Sequence, residues 1–372
     1  MPIKVVMISK AFAIRDVYQR KLEEIARLDG VDLTVISPAS WREGQHVFRL
    51  QPRFTRGYRL IVTPILFNGR FHVHFYPRLP RLLRSLKPDL LHVDEEPYNL
   101  ATWMAMRSGR AVGARCLFFT WQNLCRRLPV PFSTMEAQNY RLADGAIAGN
   151  RDAQNVLRVK GFKGPIWVIP QFGIDPDLFV PRDRSSGTTF VVGYVGRLVR
   201  AKGIDLLLRA CTMLADPWKL VLVGGGDDEP SLRRLSAELG IGARVEFRGE
   251  VASLDVPRIV REFDALVLPS RSAPTWREQF GRVLVEAMAC AVPVVGSDSG
   301  EIPHVIGDAG LIFPEEDWRA LAEHLRALQA DPSRRAVLGQ RGRERALAQY
   351  TIQSIAEQTV SVYRALLEAR IC

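Results

Sequence analysis

The stretch PSRSAPTWREQFGRVLVEAMACAVPVVGSDSGEIP, residues 269–303, carries the most information about the fold. A buried strand is predicted to end near Leu268, and an irregular polar loop follows it. Gly281 then opens a helix, and a second apolar run, Val292–Gly296, is read as the next strand. A strand, a helix and a strand in this order predict a βαβ unit of a parallel sheet.

The same alternation of short apolar runs and helical patterns extends through both halves of the chain. Further strands are predicted at Ile3–Ile8, Val31–Ser37, Asp89–Val93, Cys116–Thr120, Ala146–Ala148, Ile166–Ile169, Phe190–Val195, Lys219–Val223, Val245–Phe247 and Ala265–Leu268. We therefore predict an α/β protein with two Rossmann-like, doubly wound domains that face a cleft. Because ligands of such sheets bind at the carboxyl ends of the strands, the loops after strands are where chemistry is expected.

A boundary between the two domains is predicted in the Pro/Gly/Asp-rich stretch Pro170–Thr189. At 372 residues, the chain is long enough for two hydrophobic cores. We assign residues 1–178 to an N-terminal domain and residues 179–352 to a C-terminal domain. The last helical pattern, about residues 353–372, can pack on either domain.

Composition and cysteine usage are those of a globular protein in a reducing compartment. No apolar run approaches the ~20 residues that a membrane-spanning helix needs, and the apolar N-terminus is read as a first strand and not as an export signal. The cysteines are scattered without a CxxC pair, which argues against a zinc site and a disulfide framework and favours a cytoplasmic location. They are Cys116, Cys125, Cys211, Cys290 and Cys372.

The net charge of +11 comes entirely from the first half. Residues 1–180 hold 26 Lys and Arg against 15 Asp and Glu, whereas residues 181–372 hold 25 of each. The excess is densest between Arg42 and Lys87, and the segment Arg70–Lys87 mixes apolar and basic residues as an interfacial helix does. Peripheral contact with an anionic inner membrane face and an ordinary solvated surface helix both remain open. No nucleic-acid-binding motif is present, so no nucleic-acid partner is expected.

The segment GYVGRLVRAKGID, residues 193–205, follows a strand with a glycine-containing turn. Gly196 ends the strand, Arg197 and Lys202 flank the turn, and Gly203 precedes a helix. Small residues, two cations and a helix N-terminus suit a diphosphate, although a tight turn with solvated cations explains the pattern equally well.

Two glutamates in EQFGRVLVE, residues 278–286, are candidates for binding hydroxyl groups. Glu278 projects from the loop, and Glu286 lies on the following helix. The backbone N–H groups of Phe280 and Gly281 lie at the positive end of that helix, where an anion is favoured. A helix-capping glutamate and a solvated one are the alternative. We favour a sugar–phosphate–ribose site because Glu286 lies in an apolar stretch, where an unpaired acid is costly.

These segments resemble the family 4 retaining glycosyltransferases of the GT-B fold, with similarity over essentially the whole chain. The pattern ExFGxxxxE, followed by EAMACAVPVVGSDSGEIP, is the strongest signature of that family. The resemblance implies that Glu278 contacts donor-sugar hydroxyls and that Glu286 contacts the ribose. It further implies that the amides of Phe280 and Gly281 face the sugar and phosphate, and that Arg197 and Lys202, beside Gly196, bind the diphosphate. The turn from Arg248 to Val251 would then bind the base.

The first half departs from the family pattern at two places. Many members carry a Gly-Gly loop after the first strand, where this chain has Ser9-Lys10-Ala11-Phe12. Many also place a histidine where this chain has Trp121, with Gln122 and Asn123 beside it as hydrogen-bonding groups. His92 is interpreted as a core histidine of its strand. The candidate residues of the acceptor side are Lys10, Asp94, Glu95, Glu96, Trp121 and Asn150.

The resemblance implies transfer of a sugar from a UDP- or GDP-linked donor to a hydroxyl of a sugar, lipid-linked or small-molecule acceptor, with retention by a front-face route. No Asp-x-Asp pair is placed to hold a metal against a diphosphate, so neither a metal nor another cofactor is expected. Asp227-Asp228-Glu229 is read as a polar helix start. The alternatives are a nucleotide-sugar epimerase or phosphorylase on the same fold, and a basic membrane- or nucleic-acid-binding module. A dinucleotide oxidoreductase is disfavoured because GxGxxG is missing.

Overall fold

The computed structural model describes residues 1–14, 18–181 and 187–368. In this part of the chain the strands are β1 (Ile3–Ile8), β2 (Val31–Pro38), β3 (Ser40–Glu43), β4 (His46–Arg49), β5 (Arg59–Thr63), β6 (Leu90–Val93), β7 (Arg115–Thr120), β8 (Gly145–Ala148), β9 (Ile166–Val168), β10 (Phe190–Val195), β11 (Trp218–Val223), β12 (Val245–Phe247), β13 (Ala265–Leu268), β14 (Val294–Ser297) and β15 (Leu311–Phe313). The α-helices are α1 (Ala11–Ile14), α2 (Gln19–Arg27), α3 (Leu79–Leu86), α4 (Leu100–Ala111), α5 (Phe132–Leu142), α6 (Arg151–Val159), α7 (Ile204–Cys211), α8 (Glu229–Glu238), α9 (Val256–Val260), α10 (Arg282–Ala289), α11 (Ile302–Ile306), α12 (Trp318–Ala330), α13 (Pro332–Gln349) and α14 (Ile352–Glu368).

The chain forms two compact units, each built on its own sheet. The first unit comprises Met1–Gly173 together with Ile352–Cys372, and the second comprises Ile174–Thr351. The sequence placed the boundary at 178/179, whereas the structure places it at 173/174, because Ile174 already bonds to the end of the second unit. Its N–H donates to the Tyr350 carbonyl at 2.8 Å. Part of the predicted linker, residues 182–186, and the last four residues of the chain lie outside the described residues.

The first unit is centred on a parallel sheet with the strand order β5-β2-β1-β6-β7-β8-β9. The order reverses direction between β1 and β6, which defines the topological switch point of this sheet. Both faces are buried, because neighbouring residues of one strand enter different cores. In β1, Val5 and Met7 pack with α2 and α14, whereas Val6 and Ile8 pack with α3 and α4. Burial on both faces explains the nearly continuous apolar strands.

Helix α14 completes one face of the first sheet. Ile355, Val360 and Tyr363 of this helix are buried against the core that contains β1 and β2. The Tyr363 hydroxyl lies 2.8 Å from Nδ1 of His92 on β6. Burial, together with the charge of Lys21, lowers the pKa of His92 to about 3, so this histidine is a neutral core residue, as the sequence indicated.

The second unit is centred on a parallel sheet with the order β12-β11-β10-β13-β14-β15. This is the strand order of a six-stranded Rossmann sheet, with its switch point between β10 and β13. The segment from residue 269 to residue 303 follows β13 and contains α10 and β14, so the strand–helix–strand unit predicted there is confirmed. Asp228 directly precedes α8, which also agrees with the predicted helix start.

The basic segment of the first half contains structure that the sequence analysis missed. Strands β3 and β4 form an antiparallel hairpin. Strand β5 pairs with β2 at the edge of the seven-stranded sheet. Within Arg70–Lys87, helix α3 turns Leu79 and Leu83 into the core, so these two side chains are not available to a membrane surface. Among the described residues, no helix combines the length and the apolar character needed to cross a bilayer.

Candidate functional site

The switch point of the second sheet brings together Lys202, after β10, and Glu278, after β13. The Lys202 ammonium lies 2.5 Å from one Glu278 carboxylate oxygen, and the Ser270 hydroxyl donates to the same oxygen at 3.0 Å. Only 14% of the lysine side chain and 10% of the glutamate side chain are exposed, so water screens this pair weakly. Two residues that are 76 positions apart thus form one charged centre at the ligand-binding edge of the sheet.

Two further groups border this centre. The Lys202 ammonium lies 5.1 Å from the ring centroid of Trp276, which leaves an aromatic side chain beside the charge. Arg197 is exposed on the same loop as Lys202, and its guanidinium forms no hydrogen bond or ion pair with any residue that the structure describes. The Tyr194 hydroxyl donates to the Arg197 carbonyl at 2.8 Å and fixes the backbone there. An anion that binds at this edge would therefore face the Lys202 ammonium, which is paired with Glu278, and the unpaired Arg197 guanidinium.

Arg271 holds the loops after β10 and β13 together. Its guanidinium donates to both carboxylate oxygens of Asp205 at 2.9 and 3.1 Å, and to both oxygens of Glu316 at 2.7 and 3.1 Å. The Arg271 N–H donates to the Ala201 carbonyl at 2.9 Å, next to Lys202. Planar, bidentate pairing of this kind fixes position as well as charge. Arg271 is thus a positioning residue for the Lys202–Glu278 pair.

Two glycines allow the loops to approach each other. Gly203 has φ +64°, and a Cβ atom there would lie 2.0 Å from the Pro269 carbonyl oxygen. Gly281 has φ +74° at the start of α10, and a Cβ atom would lie 2.8 Å from the Leu268 side chain. Since the first N–H groups of a helix have no partner within the helix, α10 directs donors and its positive end toward this edge.

Glu286 is buried on α10, but it is not unpaired. Its carboxylate accepts from Arg282 Nε at 2.8 Å, one helical turn earlier. The premise that Glu286 is an unpaired acid was therefore wrong, because the helix supplies the partner itself, and the ligand role of Glu286 stays a prediction. Burial still raises the pKa of Glu286, and Arg282 opposes that shift.

The turn from Arg248 to Val251 follows β12. The Arg248 side chain is taken up by ion pairs with Glu246 and Glu262, each at 2.7 Å, so the turn can offer a ligand mainly its backbone. The Gly224 N–H donates to the Gly249 carbonyl at 2.7 Å, which ties the turn to the loop after β11.

At the switch point of the first sheet, the loops after β1 and β6 are joined by polar contacts. The Ser9 hydroxyl donates to Asp94 at 2.7 Å, and the Lys10 ammonium lies 2.6 Å from Glu95. The Gln171 side-chain amide, after β9, donates to both oxygens of Asp94 at 2.9 Å. The predicted acceptor-side residues Lys10, Asp94 and Glu95 thus lie together, but each already has a protein partner.

The two buried acids differ in their electrostatics. Burial raises the pKa of Asp94, although Lys21 opposes the shift. Burial also acts against ionisation of Glu95, but the Lys10 ammonium and the His74 ring outweigh it and hold the pKa of Glu95 well below its usual range. The Tyr76 hydroxyl completes the shell of Glu95 by donating to it at 2.9 Å.

Glu96 is the acid of this group that reaches the surface. Its carboxylate accepts from the Thr120 hydroxyl at 2.6 Å and from the Trp121 N–H at 2.8 Å, both at the end of β7. Burial raises its pKa to about 7 against these two hydrogen bonds, with Lys10 lowering it and Glu136 raising it further. Among Asp94, Glu95 and Glu96, only the last is half-exposed.

This shift predicts a pH-dependent effect of Glu96→Gln on stability. The folded-state pKa lies near 7 and the ordinary value is 4.5, so the folded protein holds a proton that the unfolded chain has released between these values. The wild type therefore loses stability as the pH rises from about 4.5 to 7, and we expect Glu96→Gln to remove that loss. The melting temperature of the variant relative to wild type should be higher at pH 8 than at pH 5. Glu43→Gln, at an exposed acid, is the control, and equal differences at both pH values would contradict the assignment.

Trp121 and Asn150 have structural partners as well. The Trp121 indole N–H donates to the Gln171 side chain at 3.1 Å, and its ring stacks on Phe172 with centroids 5.7 Å apart. Asn150 is buried, and its side chain accepts from the Ala153 N–H at 2.7 Å as the N-cap of α6. Both residues lie at the carboxyl edge of the sheet, where the sequence placed them.

The sequence analysis did not single out three residues of the second-unit site, namely Ser270, Arg271 and Trp276. All three belong to the loop whose function was predicted, so their position after a strand of the parallel sheet was the available signal. Among the described residues, no group of three or more His, Cys, Asp or Glu side chains is arranged to hold a metal ion.

Comparisons with known proteins find two family models and several relatives that match this chain. The family described as "Glycosyltransferase Family 4" matches residues 19–178, and the family described as "Glycosyl transferases group 1" matches residues 179–345. The alpha-maltose-1-phosphate synthase of Mycolicibacterium smegmatis is 32% identical over 261 residues, covering 62% of this chain and 66% of that protein. The D-inositol 3-phosphate glycosyltransferase of Stackebrandtia nassauensis is 29% identical over 268 residues, covering 65% and 59%. The match thus spans less than two-thirds of the length of these relatives.

Solved structures resemble the chain along nearly its whole length. Anabaena Alr3699/HepE, solved in complex with UDP, has a TM-score of 0.74 at 20% identity and covers 98% of this chain and 100% of its own. A sucrose-phosphate synthase from Thermosynechococcus elongatus has a TM-score of 0.70 at 22% identity and covers 99% and 100%.

The two Rossmann-like units and the likeness to these solved structures place the chain in the GT-B fold class. The chain belongs to the family 4 glycosyltransferases.

Proposed function

We propose that this protein transfers a sugar from a nucleoside diphosphate sugar, UDP- or GDP-linked, to an acceptor hydroxyl, with retention of the anomeric configuration and without a metal ion. The observation that carries the proposal is the Lys202–Glu278 pair at the switch point of the second sheet. A cation for the diphosphate and a carboxylate for sugar hydroxyls lie side by side there, at the positive end of α10.

Donor binding exchanges partners within this centre. The diphosphate takes the Lys202 ammonium and the Arg197 guanidinium, and the Glu278 carboxylate accepts hydrogen bonds from sugar hydroxyls in place of the lysine. Glu286, held by Arg282, accepts from ribose hydroxyls, and the backbone of the turn from Arg248 to Val251 receives the base. Trp276, next to the Lys202 ammonium, gives the sugar an apolar wall.

In the transfer step, the bond between the sugar C1 and the β-phosphate oxygen breaks, and its electron pair stays on that oxygen. The acceptor oxygen bonds to C1 on the same face, which retains the configuration, and the acceptor proton goes to the departing phosphate. Negative charge on the phosphate grows during this step, so Lys202, Arg197 and the α10 N-terminus are worth most in the transition state. These fixed positive groups do for the leaving group what a metal ion does in other transferases.

Proton NMR of the reaction tests the proposal. The protein is incubated with UDP-glucose, UDP-galactose, UDP-N-acetylglucosamine or GDP-mannose, with and without glycoside acceptors, in buffer containing EDTA. We expect an α-linked product from an α-linked donor, formed in the presence of the chelator and only when acceptor is present. A β-linked product or a strict requirement for a divalent cation would contradict the corresponding part of the proposal. Conversion of the donor sugar without acceptor would instead indicate an epimerase.

A further inference from the structure

A cluster of four aromatic side chains lies at the carboxyl edge of the first sheet, outside the contacts described so far. It consists of Phe71, His72, Tyr98 and Phe132 and is called the aromatic cluster below. The ring centroid of His72 lies 5.3 Å from that of Phe71, 5.4 Å from Tyr98 and 5.1 Å from Phe132. Phe71 and His72 are exposed, and the other two rings are half-buried. The rings therefore present a joined aromatic surface to solvent.

The aromatic cluster is built into the switch point of the first sheet. The Leu100 N–H donates to the His72 carbonyl at 3.0 Å, which ties the loop that carries Phe71 and His72 to the start of α4. The Lys10 ammonium lies 4.4 Å from the ring centroid of Phe71. Tyr98 follows Glu96 by two residues in the loop after β6, and burial raises the pKa of Tyr98, with the nearby Glu96 carboxylate raising it further. The aromatic surface thus adjoins Glu96, the half-exposed acid of this edge.

We propose that the aromatic cluster and Glu96 form the subsite that binds a sugar ring of the acceptor. Sugar rings carry an apolar face of C–H groups, which packs on aromatic rings, and an edge of hydroxyl groups, which donate to carboxylates. Both features occur side by side here, at the position where a parallel sheet binds its ligand. The inference rests on the proposed function, because a transferase with its donor in the second unit needs a site for the acceptor.

The charge of this edge favours a sugar over an anionic lipid surface. Asp94, Glu95 and Glu96 occupy three consecutive positions after β6. The Lys10 ammonium is already paired with Glu95, and the Lys160 ammonium is paired with Glu136 at 2.8 Å. Above its pKa of about 7, the Glu96 carboxylate repels a phosphate headgroup but not a neutral polyhydroxylated ring.

Saturation-transfer difference NMR on the full chain tests this subsite without relying on turnover. The probes are the methyl α- and β-glycosides of glucose, galactose, mannose and N-acetylglucosamine, without donor. We expect saturation of the ring C–H protons of at least one glycoside. Phe71→Leu, which keeps apolar bulk but removes the ring, and His72→Ala should each weaken binding roughly 3- to 10-fold. At pH 8, above the pKa of about 7 of Glu96, Glu96→Gln should weaken binding roughly tenfold, since it replaces a charged hydrogen-bond acceptor with a neutral one.

Phe67→Ala is the matched control, because Phe67 is an exposed aromatic residue of the same loop and lies outside the aromatic cluster. Its ring centroid lies 6.1 Å from that of Phe75. This variant should bind glycosides as wild type does. Absence of any glycoside signal with wild type, or equal binding by wild type and all three test variants, overturns the proposal. A vesicle experiment supplies a further contradicting outcome. If wild type sediments with phosphatidylglycerol vesicles, and Phe71→Leu and Phe67→Ala lose this sedimentation equally while glycoside binding is unchanged, the loop is a membrane contact and the proposal is overturned. Isothermal titration with UDP and GDP reports on the second unit separately. If neither nucleotide binds, the proposed function is contradicted, whereas the sugar subsite is not.

Discussion

Substitution of Lys202 by methionine will lower kcat for glycosyl transfer roughly 10²- to 10³-fold, the usual cost of losing one preorganised charge where negative charge develops. The Lys202 ammonium is 2.5 Å from Glu278 and largely shielded from water, so its charge acts on the diphosphate through a weakly screening medium. Because the lost interaction strengthens as the phosphate departs, kcat should fall more than KM for the donor rises.

The variant leaves the largely buried Glu278 carboxylate without its cation, so loss of activity must be separated from loss of fold. The double variant Lys202→Met/Glu278→Gln removes both charges and should keep a melting temperature close to wild type while remaining inactive. Lys219→Met is the matched control, since Lys219 forms an exposed pair with Glu246 in the same unit. Turnover near the wild-type rate in the double variant would show that the charged centre is assigned wrongly.

Arg271→Lys will lower both the activity and the stability of the second unit, although it preserves the charge. Lysine cannot make the two bidentate pairs that join Arg271 to Asp205 and Glu316. We expect a loss of about 1–3 kcal/mol in the free energy of unfolding, because hydrogen bonds to charged groups contribute on this scale and the arginine is largely shielded. We also expect a roughly 10- to 100-fold loss in kcat/KM, because small displacements of positioned groups are costly.

Urea denaturation and steady-state kinetics measure the two effects of Arg271→Lys. Arg233→Lys is the control, since Arg233 makes two hydrogen bonds to Glu229 on an exposed helix surface, where such pairs contribute little. A variant that is destabilised but retains wild-type kcat/KM would show that Arg271 supports the unit without positioning the site.

Much of the fold could be predicted because buried parallel strands are continuous apolar runs. The bounds of β10 and β13 were predicted to the residue, and their order in the sheet then placed the loops that carry Lys202 and Glu278. Strands β4 and β15 were missed, and the residues of β4 are all exposed in a hairpin, so they form no buried apolar run.

The sequence predicted which loops form the site, but it did not predict which side chains contact each other there. The pairing of Arg271 with Glu316 depends on how the loops after β13 and β15 meet, which local sequence does not encode. Two other contacts could have been read from helix spacing alone. Arg282 precedes Glu286 by one turn, and Asn150 stands directly before α6 as a capping residue. In both cases a ligand was considered from the sequence, and the local partner was not named.

The return of α14 to the first unit determines the order in which the protein can fold during synthesis. The second unit begins at Ile174 and ends at Thr351, and these two residues are paired side by side, so it is a closed insertion within the first unit. Its whole chain is therefore synthesised before Ile352–Glu368. Until that helix emerges, the face of the first sheet that contains Val5 and Met7 lacks its cover. The second unit can therefore close without α14, whereas the first unit cannot be completed before that helix has been made.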